Sequence, residues 1–178
     1  MSYLLLSISG HDRAGIVRDV SEALLHLNAN IEDSSMTALR GRFTMMLIVK
    51  LAKGDGVGAL KAALAELEQR TGLTVQSQRI SAEEAMVMPQ EPDCVVTVTG
   101  ADRPGIVHEI TDVLAVNGVS IVDVSTRSRE TGDRGDIYMM ALEAFSGGKA
   151  ESLRAPLEAA ANRLGVDVEI HILDEAVI

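Results

Sequence analysis

Hydrophobic positions along this chain alternate between two spacings, and the same series occurs twice. An apolar run, Leu4 to Ile8, opens the first series and reads as a buried strand. A glycine-bearing turn follows. Ile16, Val17, Val20, Ala23, Leu24 and Leu27 then recur at the 3.6-residue period of a helix, with Arg18, Asp19, Glu22 and His26 assigned to its other face. Asn28 is a candidate helix stop. Two strands are expected at Ile31–Leu39 and Phe43–Leu51, joined by Arg40-Gly41. A second helix carries Leu60, Ala63, Leu64 and Leu67, and a last strand runs from Leu73 to Ile80. The second series opens at Val95–Val98 and repeats the stripe with Ile106, Val107, Ile110, Val113 and Leu114, stopping at Asn117-Gly118. Its second helix carries Leu153, Leu157 and Leu164, with Pro156 expected in the first turn because proline lacks the N–H that a helix interior needs. Asp167–Leu173 alternates polar and apolar as a half-buried strand should.

The order β-α-β-β-α-β, twice, is the ferredoxin-like plan of the α+β class, with both helices on one sheet face. The expected division is a first domain at residues 1–80, a linker at 81–92 containing Pro89 and Pro92, and a second domain at 93–178. The two halves also match residue by residue. Gly10-His11-Asp12-Arg13-Ala14-Gly15-Ile16-Val17 corresponds to Gly100-Ala101-Asp102-Arg103-Pro104-Gly105-Ile106-Val107. Leu24/Leu114, Ile31/Ile121, Asp33/Asp123 and Ser35/Ser125 continue it at constant spacing. The second copy then gains about four residues near Glu130-Thr131-Gly132-Asp133, after which Gly41 faces Gly135 and Met45-Met46 faces Met139-Met140. Phe43–Val49 is apolar on both alternations, so cover on both sheet faces is expected, from pairing of the modules and a homodimer.

Composition narrows the function. The 178 residues are 47% hydrophobic and only 2% aromatic, so the cores rest on Leu, Ile, Val, Met and Ala. A net charge of −10, with no basic arm or reader helix, argues against direct DNA binding, which needs clustered Lys and Arg. The single cysteine, Cys94, allows no intrachain disulfide and reads as a small buried hydrophobe. Met1-Ser2-Tyr3-Leu4 has no charged lead, and no apolar run approaches bilayer length, so a soluble cytoplasmic protein without membrane contact is expected. His11, His26, His108 and His171 lack metal-ligand spacing, and Ser34, Ser35 and Ser125 have no recognisable base. No metal, cofactor or catalytic residue is assigned.

The candidate chemistry lies in the duplicated turn. A helix starting near Gly15 or Gly105 leaves backbone N–H groups without partners, and its dipole favours an anion such as an α-carboxylate. Glycine there lets a ligand approach the backbone. Asp12 and Asp102 are suited to an ammonium, or equally to capping the helix or bracing the turn. Arg13 and Arg103 are candidate ligand contacts or solvated side chains. His11 lies in the same turn, and Asn30 offers both a donor and an acceptor.

The turn Gly-x-Asp-Arg-[Ala/Pro]-Gly-Ile-Val on this topology resembles the ACT domain family of small-molecule sensors. Asn30-Ile31-Glu32-Asp33-Ser34 followed by Gly41-Arg42-Phe43-Thr44-Met45-Met46 resembles the glycine cleavage system transcriptional repressor family, built of two ACT domains and little else. The resemblance implies a regulator that responds to a small amino acid, glycine, and acts through a partner transcription factor. It implies ligand contacts at Gly10, His11, Asp12, Arg13, Gly15, Ile16, Asn30 and Ile31, and at Asp102, Arg103, Gly105, Ile106 and Ser120. Ser120 stands where the first copy has Asn30, so the second site is expected to bind more weakly or differently. Formyltetrahydrofolate deformylases begin with a similar segment, but their catalytic domain is missing here. An acylphosphatase-like phosphate turn would use Arg13 or Arg103, but the Gly-x-Val-Gln-Gly turn of those enzymes is absent. A ligand-free adaptor is the remaining alternative.

Overall fold

The computed structural model describes residues 2–52, 56–129 and 137–173. The chain divides into two compact units between Met88 and Pro89. In the first, β1 (Ser2–His11), α1 (Ile16–Leu25), β2 (Asn30–Leu39), β3 (Arg42–Leu51), α2 (Gly56–Thr71) and β4 (Thr74–Ile80) form an antiparallel sheet ordered β2-β3-β1-β4. A helical turn, α3 (Ala82–Ala85), follows within the stretch expected to be linker and packs against β1. Ser81 starts it with a reciprocal cap: Glu84 N–H donates to Ser81 Oγ at 3.1 Å, and Ser81 N–H donates to Glu84 Oε2 at 2.7 Å.

The second unit repeats the plan with β5 (Cys94–Ala101), α4 (Ile106–Val116), β6 (Ser120–Arg129), β7 (Ile137–Phe145), α5 (Arg154–Leu164) and β8 (Val166–Ile172), in the order β6-β7-β5-β8. Pro156 sits in the first turn of α5, just after a 3-10 turn at Ala150–Leu153.

Each core lies between one sheet face and its two helices. In the first unit Leu4, Leu6 and Ile8 of β1 and Phe43, Met45, Leu47 and Val49 of β3 meet Val20 and Leu24 of α1 and Leu60 and Leu67 of α2. In the second, Val96, Val98, Met140 and Leu142 meet Ile110, Leu114 and Leu157. Fully burying an aliphatic side chain contributes about 1.5–3 kcal/mol, so these stripes decide which sheet face the helices cover.

Strand pairing corrects one sequence alignment. Met45 lies opposite Ile8, and its counterpart opposite Val98 is Met140, not Met139. Residues 40–41 join β2 to β3, whereas residues 130–136 join β6 to β7, so the second copy is longer by five residues. The difference matters because a one-residue slip moves a side chain to the opposite face. The segment Glu130-Thr131-Gly132-Asp133 and its neighbour Gly135 lie outside the described residues.

The expectation for β3 is met on one face. Phe43, Met45, Leu47, Val49 and Leu51 are buried, while Met46 on the other face is 50% exposed. β2 and β6 are edge strands, exposed along their whole length.

Candidate functional site

In both units the turn is set by one glycine. Gly15 has φ 89° and Gly105 φ 97°, left-handed values that residues with a Cβ adopt at a cost. Each ends the turn and starts a helix: Asp19 N–H donates to Gly15 O at 3.0 Å, and Glu109 N–H to Gly105 O at 2.9 Å. No side chain caps either helix. The capping alternative for Asp12 and Asp102 is thereby removed. Asp12 is instead held through its backbone, its N–H donating to Gly41 O at 2.9 Å, and its side chain stays exposed.

Two of the turn's glycines are needed for different reasons. Gly10 and Gly100 lie on the core face of their strands. A Cβ on Gly10 would stand 2.7 Å from Leu73 Cδ2, and one on Gly100 would stand 2.7 Å from Val166 Cγ1. Their lack of a side chain serves packing rather than ligand approach. Ile16 and Ile106 are 2% and 1% exposed and belong to the cores, so their side chains are unavailable to a ligand.

Asp19, expected on the polar face of its helix, is buried to 7% exposure. Residues 16, 19, 20, 23, 24 and 27 form one i, i+3, i+4 series, so Asp19 stands at a core position of the stripe. That periodicity is the signal in the sequence. The burial is tolerated because two guanidinium groups hold the carboxylate. Arg13 Nη2 donates to Oδ2 at 2.7 Å, and Arg18 donates to Oδ1 from Nε at 3.1 Å and from Nη2 at 2.8 Å. The hydrogen bonds from Arg13 and then Arg18 hold the Asp19 carboxyl below the usual carboxylate range. Arg13 is therefore neither simply solvated nor free for a ligand.

The second turn is tied differently. Glu109 takes the place of Asp19 and pairs with Arg163 of α5 at 3.0 Å, while Arg103 donates to Leu164 O at 3.5 Å.

Asn30 does not join the turn within its own unit. β1 and β2 both run antiparallel to β3. His11 is level with Arg42, and Asn30 is level with Lys50. Eight residues at about 3.3 Å each separate them, roughly 26 Å along the sheet. Ser120, level with Phe145, is equally far from its own turn, where Ala101 is level with Ile137. The Asn30 amide donates to Glu32 Oε1 at 2.7 Å, and Ile31 borders a bulge in β2.

Asp93, where the linker gives way to the second domain, proves to be an anchor. Its carboxylate accepts Ser146 N–H at 2.7 Å, Ser146 Oγ–H at 2.9 Å and Gly148 N–H at 2.9 Å, fixing the start of β5 to the loop after β7. Burial pushes this carboxyl up, but the donors of Gly148 and Ser146 together outweigh it and the net shift is down. Beside it Cys94 is fully buried, and burial, followed by the Asp93 charge, raises its thiol to about 11, leaving an unreactive group. Among the described residues no three His, Cys, Asp or Glu side chains gather into a metal site, and no helix is long and apolar enough to cross a membrane.

Against known proteins, the ACT domain family matches this chain twice, at residues 2–78 and 93–171. A UPF0237 protein of Methanopyrus kandleri is 38% identical over 87 residues, covering 48% of this chain and 97% of its own. The glycine cleavage system transcriptional repressor of Escherichia coli K12 is 24% identical over 127 residues, covering 71% of this chain and 65% of its own. The crystal structure of a Galdieria sulphuraria protein superposes with a TM-score of 0.75 at 29% identity, covering 97% of this chain and 99% of that one.

Proposed function

The chain belongs to the ACT domain family, and on that premise we propose that it is an amino-acid-responsive regulator that binds glycine at the Gly10–Val17 turn and acts through a partner transcription factor. One observation carries the reading. The uncapped start of α1 and the exposed Asp12 carboxylate stand at the same turn, offering N–H donors to an α-carboxylate and a charge partner to an ammonium. A ligand as small as glycine suits a turn whose arginine is already engaged by Asp19. The net charge of −10 supports action through another protein rather than on DNA.

Asn30 enters this scheme only through a second copy. β2 is an exposed edge, and two such edges pairing antiparallel would bring Asn30 of one copy level with Leu39 of the other, at its partner's turn end. That arrangement is our reason for proposing a homodimer. The second turn, with Asp102, Arg103 and Gly105, is proposed as a weaker site, which Ser120, like Asn30, would reach only from a second copy.

Calorimetric titration with glycine, serine and larger amino acids tests the proposal. Asp12→Ala should weaken glycine binding about ten-fold or more, the effect of losing one charged hydrogen-bond partner, and Asp102→Ala should do less. Asn30→Ala should weaken it only under conditions where the dimer persists. If no amino acid gives heat or a thermal shift at millimolar concentration, the sensor reading fails and the chain is an ACT-fold assembly module.

A further inference from the structure

Alternation along β1 turns Leu4, Leu6 and Ile8 to the helices and Ser7, Ser9 and His11 to the opposite sheet face. Register then assembles a polar group at one end of that face. Ser9 lies between Thr44 of β3 and Thr74 of β4, placing three hydroxyls across three strands, and His11 lies beside Arg42. Neighbouring strands are about 4.8 Å apart, so the hydroxyls form a continuous row. These five side chains and the backbone of Gly72 line one cleft of ≈ 460 Å³. Among the described residues none of the five is engaged in a side-chain hydrogen bond or an ion pair, so all five are available to a ligand.

The second unit has dismantled the same place. The residues at equivalent register are Thr99, Ala101, Ile137, Met139 and Asp167. Both nitrogen bases and two of the three hydroxyls are gone, and a carboxylate has been added.

We propose that this cleft of the first unit is a second small-molecule site, taking the phosphoryl group of a small metabolite. A planar guanidinium, an imidazole and the Ser9 and Thr44 hydroxyls suit the three terminal oxygens and the greater charge of a phosphate better than a carboxylate's two oxygens, while Thr74, about 10 Å from Thr44 across the row, is left for the rest of the metabolite. Arg42 contributes the permanent charge; Ser9, Thr44 and Thr74 supply neutral donors along the row. The cleft meets the Gly10–Val17 turn at Gly10 and His11, while Ser9, Arg42, Thr44 and Thr74 lie outside the turn at which glycine is placed.

The test titrates the full chain with inorganic phosphate, glycerol phosphate and acetate at constant ionic strength, followed by calorimetry. Phosphate should saturate and bind at least about ten-fold more tightly than acetate. Arg42→Met should weaken phosphate about ten-fold or more, the loss of a charge-assisted contact, and Thr44→Val should weaken it by a smaller factor. Arg40→Asn, which removes a neighbouring charge at a left-handed position that asparagine tolerates, should change it less than about two-fold. Tighter glycerol phosphate binding would identify an ester as the occupant, and tighter inorganic phosphate the free anion; both sustain the site. Lack of saturation, equal binding of acetate, or equal losses in Arg40→Asn and Arg42→Met would overturn it. Circular dichroism melts establish that each variant is folded.

Discussion

The turns at Gly10–Val17 and Gly100–Val107 share a backbone and differ in the charged groups that brace it. Both reach the helix through a left-handed glycine, and neither helix is capped by a side chain. In the first, a buried aspartate binds an arginine from the turn and another from the helix. In the second, the acid is a glutamate tied to the second helix, and the turn's arginine reaches a backbone carbonyl. The polar cleft beyond the turn shows the same divergence. Duplication has therefore kept the positions where geometry allows one answer and released those where several charge arrangements serve.

The largest effect expected from this comparison is in packing. Gly100→Ala would put a Cβ 3.1 Å from Val166 Cα and 3.0 Å from its Cβ, atoms that cannot swing aside. Gly10→Ala meets the tip of Leu73 at 2.7 Å but stays 3.4 Å from its Cα. Overpacking should cost about 2–3 kcal/mol at Gly100 and about 1 kcal/mol at Gly10, measured by urea denaturation. Equal losses would mean that the two strand ends are packed alike.

Next come the helix-start glycines. A Cβ added at Gly105 would meet nothing within 4 Å, and one at Gly15 only arginine tips no closer than 3.5 Å, so strain in φ is the whole cost. Gly15→Ala and Gly105→Ala should each lose about 1–2 kcal/mol, and by similar amounts. Because the backbone needs glycine, a bulky residue at Gly15 reports strain as well as any blocked ligand. Asp12→Ala is the cleaner probe.

The fold is legible in the sequence because the apolar spacings are strong and occur twice. The strands, the helices and the late start at Pro156 follow from period and proline chemistry. The one-residue misalignment of Met45 arises because both alternations of that strand are apolar, so the pattern cannot fix its face. Asp19 is legible in spacing but masked by its charge. Asp93 has no local signal, since its partners Ser146 and Gly148 lie more than fifty residues away. The helix–strand connection and family analogy both suggest Asn30 beside the turn; strand direction, which puts it at the far end, is a property of register and not of composition.

The smallest effect is electrostatic and appears only in acid. The hydrogen bonds from Arg13 and Arg18 keep the Asp19 carboxyl ionised below the ordinary carboxylate range in the folded chain. The unfolded chain therefore binds that proton first as pH falls. Between the unfolded value, about 3.9, and the lower folded one, the unfolded state holds more protons and stability rises with pH. The contribution is complete above the unfolded value and is lost as pH falls through the folded one. Asp19→Asn should remove this limb of the acid profile while Arg13 and Arg18 lose their charged partner. Glu109→Gln should cost less stability at neutral pH than Asp19→Asn, because its pair with Arg163 is half-exposed and solvent-screened. Thermal melts of the wild type and both variants from neutral pH into the acid range separate the two. Parallel acid limbs in the wild type and Asp19→Asn would show that the buried triad does not stabilise the first turn, and the electrostatic half of the comparison between the units would fall with it.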